Sequence, residues 1–313
     1  MKDGSSPKMS VVVVTPDCYG TIQTTVRYLQ AQTVRDQLEV LIVAPRKEKV
    51  EVDNWVKETF SRFRIIELDQ VTSIAQANVR AVHEASTPLV AFIEEHAYPE
   101  PDWAEALINA HRQAWAAVGP VVENANPKGR ISWADFIISY GPWMESSPTG
   151  VVGILPGHNS SYKKAILNQY GDQLEDYLEA ENVLHTDLGK KGYQLYLEPE
   201  ARVRHLNFTR FSTWLPSQYY TGRLFAAIRS MSWSPFQRLV FTAGSPLIPI
   251  VRLCRILPQM KGLRKRHSLP GGILIFVLLG LGAGAAGEML GYALGAGTSK
   301  QRNVEWEFHR TSK

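Results

Sequence analysis

Three ionisable side chains stand together at the end of the stretch LVAFIEEHAYPEPDW: Glu94, Glu95 and His96. The apolar run from Leu89 to Ile93 reads as a buried strand, and Pro99 and Pro101 start a new helix at Asp102 or Trp103. The strand therefore delivers two carboxylates and an imidazole to its C-terminal edge. Such a set can hold a divalent ion that bridges two phosphates; the bland alternative is a solvated acidic turn. Further along, LPGHNSSYKKAIL carries Gly157, which permits a tight turn, ahead of His158 and Asn159, whose donors can orient a hydroxyl or a phosphate oxygen. Lys163 and Lys164 in the same stretch read as the solvated start of a helix.

The elements that must position these groups follow from the hydrophobic pattern. Short β-branched runs alternate with amphipathic stretches from Val11 to Val122, the pattern of strands joined by crossover helices. Strands are expected at Val11 to Thr15, Val40 to Val43, Arg64 to Leu68, Leu89 to Ile93 and Ala117 to Val122. Helices are expected at Thr21 to Gln32, Asn54 to Arg62, Ser73 to Ala85 and Pro101 to Trp115. The fold class is thus α/β, a mostly parallel sheet flanked by helices. Between Glu123 and Pro156 the periodicity fades into a stretch rich in Trp, Tyr, Pro and Gly, which reads as a long binding loop. A helix follows from Leu174 to Lys190, with Leu174, Leu178, Leu184 and Leu188 on one stripe and Gly192 as its stop signal. Two strand-like pieces then end at His205.

The chain has 313 residues, 44% apolar and 20% charged, enough for one large α/β domain and an appendage. Its net charge of +4 is modest and unevenly placed, which argues against a nucleic-acid partner. Cys18 and Cys254 are too far apart in sequence and setting to suggest a disulfide framework, so a reducing compartment fits. The opening MKDGSSPKMS shows no apolar export core, and the globular part is expected to stay in the cytoplasm. Residues 208–268 are aromatic and basic and read as a membrane-interface region. Residues 271–297, GGILIFVLLGLGAGAAGEMLGYALGAG, are long enough to cross a hydrocarbon core of about 30 Å. They read as one membrane segment, with a re-entrant hairpin as the alternative. Glycine pairs four apart, Gly280 with Gly284 and Gly287 with Gly291, allow close helix approach and permit two copies of the chain to pair, and Glu288 needs a polar partner. Arg252, Arg255, Lys261, Arg264, Lys265 and Arg266 form a basic collar that should face the cytoplasm. Residues 298–313 read as a polar tail.

Four blocks in order resemble glycosyltransferase family 2, the large group with the GT-A fold, and within it a bacterial membrane-associated branch. VVVVTPDCYGTIQTTVRYLQAQT is similar to the family's first strand, turn and helix. SIAQANVRAVHEASTPLVAFIEEHAYPEPDW resembles the block leading to its Asp-x-Asp motif. LPGHNSSYKKAIL resembles its acceptor-side element, and YLEAENVLHTDLGKKGYQLYLEPEARVRHLN its Glu-Asp helix, Gly-Tyr and terminal His. The resemblance covers Val11 to Asn207 and gives a transferase domain over 9–207.

It implies an inverting transfer of a sugar from a nucleotide-diphosphate sugar to a hydroxyl of a membrane-located acceptor, lipid-linked or polysaccharide. Thr15, Pro16, Asp17, Asn78, Glu94 and Glu95 fall on the nucleotide-sugar side. Glu95, His96 and His205 take the metal positions, for Mg2+ or Mn2+, and His158 with Asn159 the acceptor and phosphate side. Glu181 takes the general base position, one turn into its helix with Leu184 and Leu188, and Glu179 is the competing assignment. His96 stands where the family has a ligand aspartate, which removes one negative charge from the ion's shell. Ala44 and Pro45 stand where it commonly has base-reading aspartates, so the nucleotide's identity does not transfer. These departures motivate an alternative: a catalytically degenerate domain serving as a binding or scaffold subunit of a membrane glycan-assembly complex. A nucleotidyltransferase is disfavoured, because TPDCYG offers one glycine and no lysine to a phosphate.

Overall fold

The computed structural model describes residues 6–46 and 50–308. Residues 309–313 of the expected tail and 1–5 of the N-terminal stretch lie outside the described residues. The chain divides into two compact units: everything up to Glu123 together with Thr149–His205, and Asn124–Pro148 together with everything from Leu206 onward.

The first unit runs β1 (Met9–Val14), α1 (Tyr19–Gln30), β2 (Leu38–Ala44), α2 (Asn54–Thr59), β3 (Arg62–Glu67), α3 (Ile74–Glu84), β4 (Leu89–Ile93), β5 (Ala97–Pro99), α4 (Trp103–Ala110) and β6 (Ala117–Asn124). The second unit contributes α5 (Arg130–Tyr140) before the first resumes with β7 (Gly150–Val152), β8 (Ser161–Lys163), α6 (Lys164–Leu167), α7 (Leu174–Glu179), α8 (Glu181–Lys190) and β9 (Leu195–His205). The sheet order is β3-β2-β1-β4-β8-β6-β9-β5, with β7 on β9. Strands β3, β2, β1 and β4 are parallel, and β8 turns antiparallel against β4. β1 and β2 are buried along their whole length, which is why they read as unbroken apolar runs rather than alternating ones. Ile22, Val26 and Leu29 of α1, spaced at helical period, pack into the same core as Trp103 and Leu107 of α4. Because β1 and β4 are parallel with Val13 opposite Ile93, the segments after Val14 and after Ile93 leave the sheet side by side.

The helix expected over Leu174 to Lys190 is two helices. The backbone breaks at Ala180 (φ −145°, ψ 80°), and Glu181 opens α8 instead of lying one turn inside a longer helix.

The second unit continues with α9 (Phe211–Arg229), α10 (Pro235–Gly244), α11 (Ile248–Leu263), α12 (Ile273–Leu294) and α13 (Ser299–Phe308). The stretch expected as a loop contains α5, whose Trp133, Ala134, Asp135, Phe136 and Ile137 are all buried. A helix covered on every side carries no 3.6-residue alternation to read. Residues 273–294 form one continuous helix of 22 residues, not a hairpin, entered at Gly272 (φ 74°) and left at Gly295 (φ 75°). Its glycines are used within the chain. A Cβ on Gly287 or Gly291 would collide with the carbonyl oxygens of Tyr219 and Arg223, and one on Gly222 with the oxygen of Gly284, so α9 and α12 meet backbone to backbone. Glu288 finds its partner in Arg252, 2.6 Å away. Among the described residues, two helical stretches suffice by length and composition to cross a membrane, Pro235–Leu263 and Ile273–Leu294.

Candidate functional site

Of the residues expected on the nucleotide side, Thr15, Pro16, Asp17, Glu94 and Glu95 lie at two neighbouring strand exits and Asn78 on a helix. Thr15 is buried and its hydroxyl donates to the Cys18 carbonyl at 2.8 Å, closing the turn that carries Pro16 and Asp17. Asp17 is exposed, and its Oδ1 accepts from the Cys18 amide and from the Thr21 hydroxyl at 2.6 Å, which fixes the first turn of α1. One exit away, Thr25 of α1 donates to the Glu95 carbonyl at 2.6 Å, so α1 braces the turn that holds the acidic residues. Asn78 is buried on α3, which packs against β1 and β2.

At the end of β4 the three ionisable side chains separate. Glu95 Oε1 lies 2.7 Å from His96 Nδ1, while the other ring nitrogen, Nε2, lies 2.8 Å from His205 Nε2. Glu94 completes the group, with Oε1 3.8 Å from His96 Nε2 and Oε2 3.4 Å from His205 Nε2. One donor atom from each of Glu94, His96 and His205 lies within 4.8 Å of the others. Burial raises the pKa of Glu94, but the charges of His96 and His205, a hydrogen bond from His205 and the charge of His158 outweigh it, and the carboxyl sits well below the ordinary range.

This donor set fits a divalent cation. Two imidazole nitrogens facing each other at 2.8 Å must share a proton, and an ion can take that proton's place. Glu95, holding Nδ1–H, keeps the His96 Nε2 lone pair turned toward the centre, the usual outer partner of a metal-bound histidine. The two expected histidines are thus brought together, but the carboxylate that joins them is Glu94, while Glu95 backs His96. The chain turns directly after β4, with the Ala97 amide donating to the Glu94 carbonyl at 3.0 Å, so the two carboxylates make different contacts.

The third sequence block sits directly beside this group. Gly157–Asn159 form one turn of 3₁₀-helix just before β8. Asn159 Nδ2 donates to Glu94 Oε2 at 2.6 Å, and the Glu94 amide donates back to Asn159 Oδ1 at 3.3 Å. On the other side of the turn, His158 Nδ1 lies 2.6 Å from Glu181 Oε1. Gly157 has no room for a side chain, because a Cβ there would overlap the Cβ and Cγ of Glu181 and come 2.9 Å from its Cδ. Glu181 is almost wholly buried. The competing Glu179 ends α7, before the break at Ala180.

Two functional-site neighbours escaped the sequence reading. His185, one turn after Glu181, accepts from the Leu155 amide at Nδ1 (3.3 Å), so its Nε2 carries the proton and donates to the Tyr162 hydroxyl at 2.8 Å. Burial, and then the charge of His158, lowers the His185 pKa to about 3, which keeps it neutral. Burial and then Glu181 push Tyr162 well above its ordinary value. The signal for His185 is its place on the same helical face as Glu181, Leu184 and Leu188, the three residues that the sequence reading put together.

The sequence profile described as glycosyl transferase family 2 matches residues 10–171, just over half of the chain and the first three of the four blocks. The chain belongs to glycosyl transferase family 2. No curated protein matches the sequence. Among solved structures, this glycosyltransferase is similar to the mannosyltransferase PcManGT from Pyrobaculum calidifontis, in complex with GDP-Man and Mn2+. The TM-score is 0.54 at 17% identity, covering 91% of this chain and 88% of that one. It is also similar to GalNAc-T7 with UDP, GalNAc and Mn2+, with a TM-score of 0.55 at 13% identity, covering 78% of this chain and 51% of that one. At these identities the likeness is one of fold, the GT-A arrangement. The expected fold and enzyme class therefore stand.

Proposed function

We propose that this glycosyltransferase moves a sugar from a nucleotide-diphosphate sugar to a hydroxyl of a lipid-linked or polysaccharide acceptor held at a membrane, with inversion at the anomeric carbon. The observation that carries the reading is the turn Gly157–Asn159, which touches both carboxylate centres: Asn159 holds Glu94, and His158 with Gly157 holds Glu181. A leaving diphosphate and an entering alcohol need opposite help, positive charge for one and a proton acceptor for the other.

In this reading Thr15, Pro16, Asp17 and Asn78 line the nucleotide side. Glu94, His96 and His205 hold a divalent ion, Mn2+ in preference to Mg2+ because two of the three donors are imidazoles, and Glu95 orients His96. When bound, that ion supplies positive charge against the departing diphosphate. Glu181 supplies the negative charge that draws the proton off the acceptor hydroxyl, whose oxygen attacks the anomeric carbon from the face opposite the diphosphate. A single displacement needs one base and no covalent intermediate.

The membrane acceptor is supported by the two apolar helical stretches and by the side chains they leave exposed, Phe236, Leu239, Leu247 and Ile250 among them. The basic residues Arg264, Lys265 and Arg266, close to them in sequence, support a cytoplasmic side for the transferase domain in this reading.

The test is a panel of nucleotide sugars with the full chain and Mn2+, read as slow donor hydrolysis and as transfer to lipid-linked acceptors. Glu181→Gln should lower transfer by about 10²- to 10⁴-fold with donor binding intact; near-normal turnover eliminates the assignment. A product with the donor's anomeric configuration eliminates the single displacement.

A further inference from the structure

Glu181 opens α8 straight after the backbone break at Ala180, and α7 does not run on into it. The register of α8 against the rest of the site must then come from a contact made further along the helix. His185 makes that contact. One turn after Glu181 and fully buried, it accepts from the Leu155 amide at Nδ1 (3.3 Å) and donates from Nε2 to the Tyr162 hydroxyl (2.8 Å). Leu155 and Tyr162 stand on either side of the turn Gly157–Asn159, whose glycine closes on the Glu181 stem. Tyr162 is itself fixed in the sheet: it lies in β8 opposite Val90 of β4 and Ala117 of β6, and its ring is tilted against Phe92 with centroids 5.7 Å apart. One imidazole therefore ties α8 to both flanks of the turn that carries Asn159, and through Tyr162 to the strand that leads to Glu94.

We propose that His185 is a positioning residue for the transfer: with Leu155 and Tyr162 it sets the register of α8 and hence the place of the Glu181 carboxylate. The inference rests on the proposed transferase reading, with Glu181 as the base, and adds the residue that holds this base in line. A leucine could fill the same buried volume without any polar demand, whereas an imidazole there is destabilising unless both of its nitrogens are bonded. Direction is what the imidazole adds. Apolar contacts tolerate a slide or a rotation of the helix, but two hydrogen bonds taken from opposite edges of one ring do not, because each weakens steeply off line. Burial, and then the charge of His158, hold the pKa of the ring at about 3, so the same nitrogen donates and the same one accepts at any working pH. Being fully buried, His185 acts through Glu181 and not on the substrate. A shift of α8 by about an ångström would lower the rate by about 10²-fold while the donor and ion sites on β1 and β4 stayed as they are.

The experiment compares Tyr162→Phe and His185→Leu, each alone and each combined with Glu181→Gln, in the full chain. Tyr162→Phe deletes one hydroxyl and keeps the ring, and His185→Leu deletes both bonds and keeps an apolar filling. Readouts are transfer kcat, donor KM, Mn2+ affinity and thermal unfolding. The expected result is a fall in kcat of about tenfold for Tyr162→Phe and about 10²-fold for His185→Leu, with donor KM and Mn2+ affinity unchanged. In the Glu181→Gln background neither substitution should lower the residual rate further, since residues that act through one group are not additive. A role in general stability would lower the rate in both backgrounds alike, and that result overturns the proposal. Near-normal kcat in either single variant, beside an inactive Glu181→Gln, also overturns it and leaves the parent reading standing. So does a fall in kcat accompanied by weakened donor or Mn2+ binding. Should His185→Leu fail to fold, Tyr162→Phe carries the test on the same terms. Normal kcat in Glu181→Gln overturns the parent reading instead.

Discussion

Gly157→Ala asks whether the clasp around Glu181 sets the rate. The added methyl carbon would overlap Glu181 Cβ and Cγ and lie 2.9 Å from Cδ, against ordinary contacts nearer 3.5–4 Å. Either the turn or Glu181 must move by about an ångström. The turn is the stiffer partner: the Asn159 amide donates to the Pro156 carbonyl at 2.9 Å, the Ser160 hydroxyl donates to the same carbonyl at 2.8 Å, and Asn159 grips Glu94 at 2.6 Å. Glu181 is held by one backbone position at the start of α8, beside the break at Ala180. The carboxylate should therefore be displaced, at a cost of about 1–3 kcal/mol of stability for the overpacking. A displacement of that size in a reacting group lowers the rate by about 10²-fold. The assay is transfer kcat with donor KM and thermal unfolding measured in parallel. A fall in kcat with unchanged donor KM and a lowered Tm is expected. A transfer rate within threefold of the parent protein, at any Tm, refutes the geometry on which the base assignment stands.

Three other outcomes follow from the same structure. Glu95→Gln should weaken Mn2+ binding by about 10- to 100-fold, as loss of an outer partner does, and Glu94→Gln should cost more, as loss of a direct ligand; electron paramagnetic resonance of free Mn2+ measures both, and the reverse order refutes the assignment. His111 is buried against Ser161 (2.9 Å), and burial, with Lys163 adding to it, lowers its pKa from 6.5 to about 4. The unfolded chain thus binds the extra proton between those values, so stability is full above pH 6.5 and falls as the pH drops toward 4, by up to about 3 kcal/mol. Urea unfolding at pH 7 and pH 4.5 should show His111→Asn losing that part of the acid sensitivity; unchanged sensitivity contradicts it. Phe236→Glu combined with Ile250→Glu, two of the most exposed apolar side chains, should reduce partition into anionic vesicles by about 10²-fold and leave donor hydrolysis unaffected, and equal partition removes the case for a membrane-facing surface there.

How far the sequence disclosed this depends on what kind of pattern each element had to show. Strands buried on both faces, as β1 and β2 are, announce themselves by unbroken Val, Ile and Leu, and β4 falls at Leu89–Ile93 as expected. The helix α5 left no such mark, because Trp133, Asp135 and Phe136 are all buried and polar residues do not single out a face. The break at Ala180 was equally hidden, since the leucine stripe continues across it. In the site, the motif EEH identified the place but not the division of labour. Which of Glu94 and Glu95 faces the two histidines is decided by Asn159, 65 residues away, gripping Glu94. The glycines of α12 were legible as close-approach positions, but their partner was not: α9, from the same chain, occupies them. The departures at His96 and at Ala44–Pro45 had also allowed a domain without chemistry. The convergence of His96 with His205 and Glu94 gives the first of these departures a role in a donor set.

The turn Gly157–Asn159 explains why a three-residue block can matter more than either carboxylate alone. A displacement reaction works only if the leaving and entering groups are held in line across one carbon, so the elements that serve them must share a frame. Glu94 leaves β4, whereas Glu181 opens a helix that is separated from it by 87 positions and by a kink. Neither secondary-structure element fixes the other directly. The turn does, because Asn159 is bound to Glu94 through both side-chain amide atoms while Gly157 and His158 close on Glu181 from one side. Substituting Asn159 should then disturb both halves of the reaction at once, lowering metal affinity through Glu94 and kcat through Glu181. A variant that lost only metal affinity would show that the two carboxylates are positioned independently.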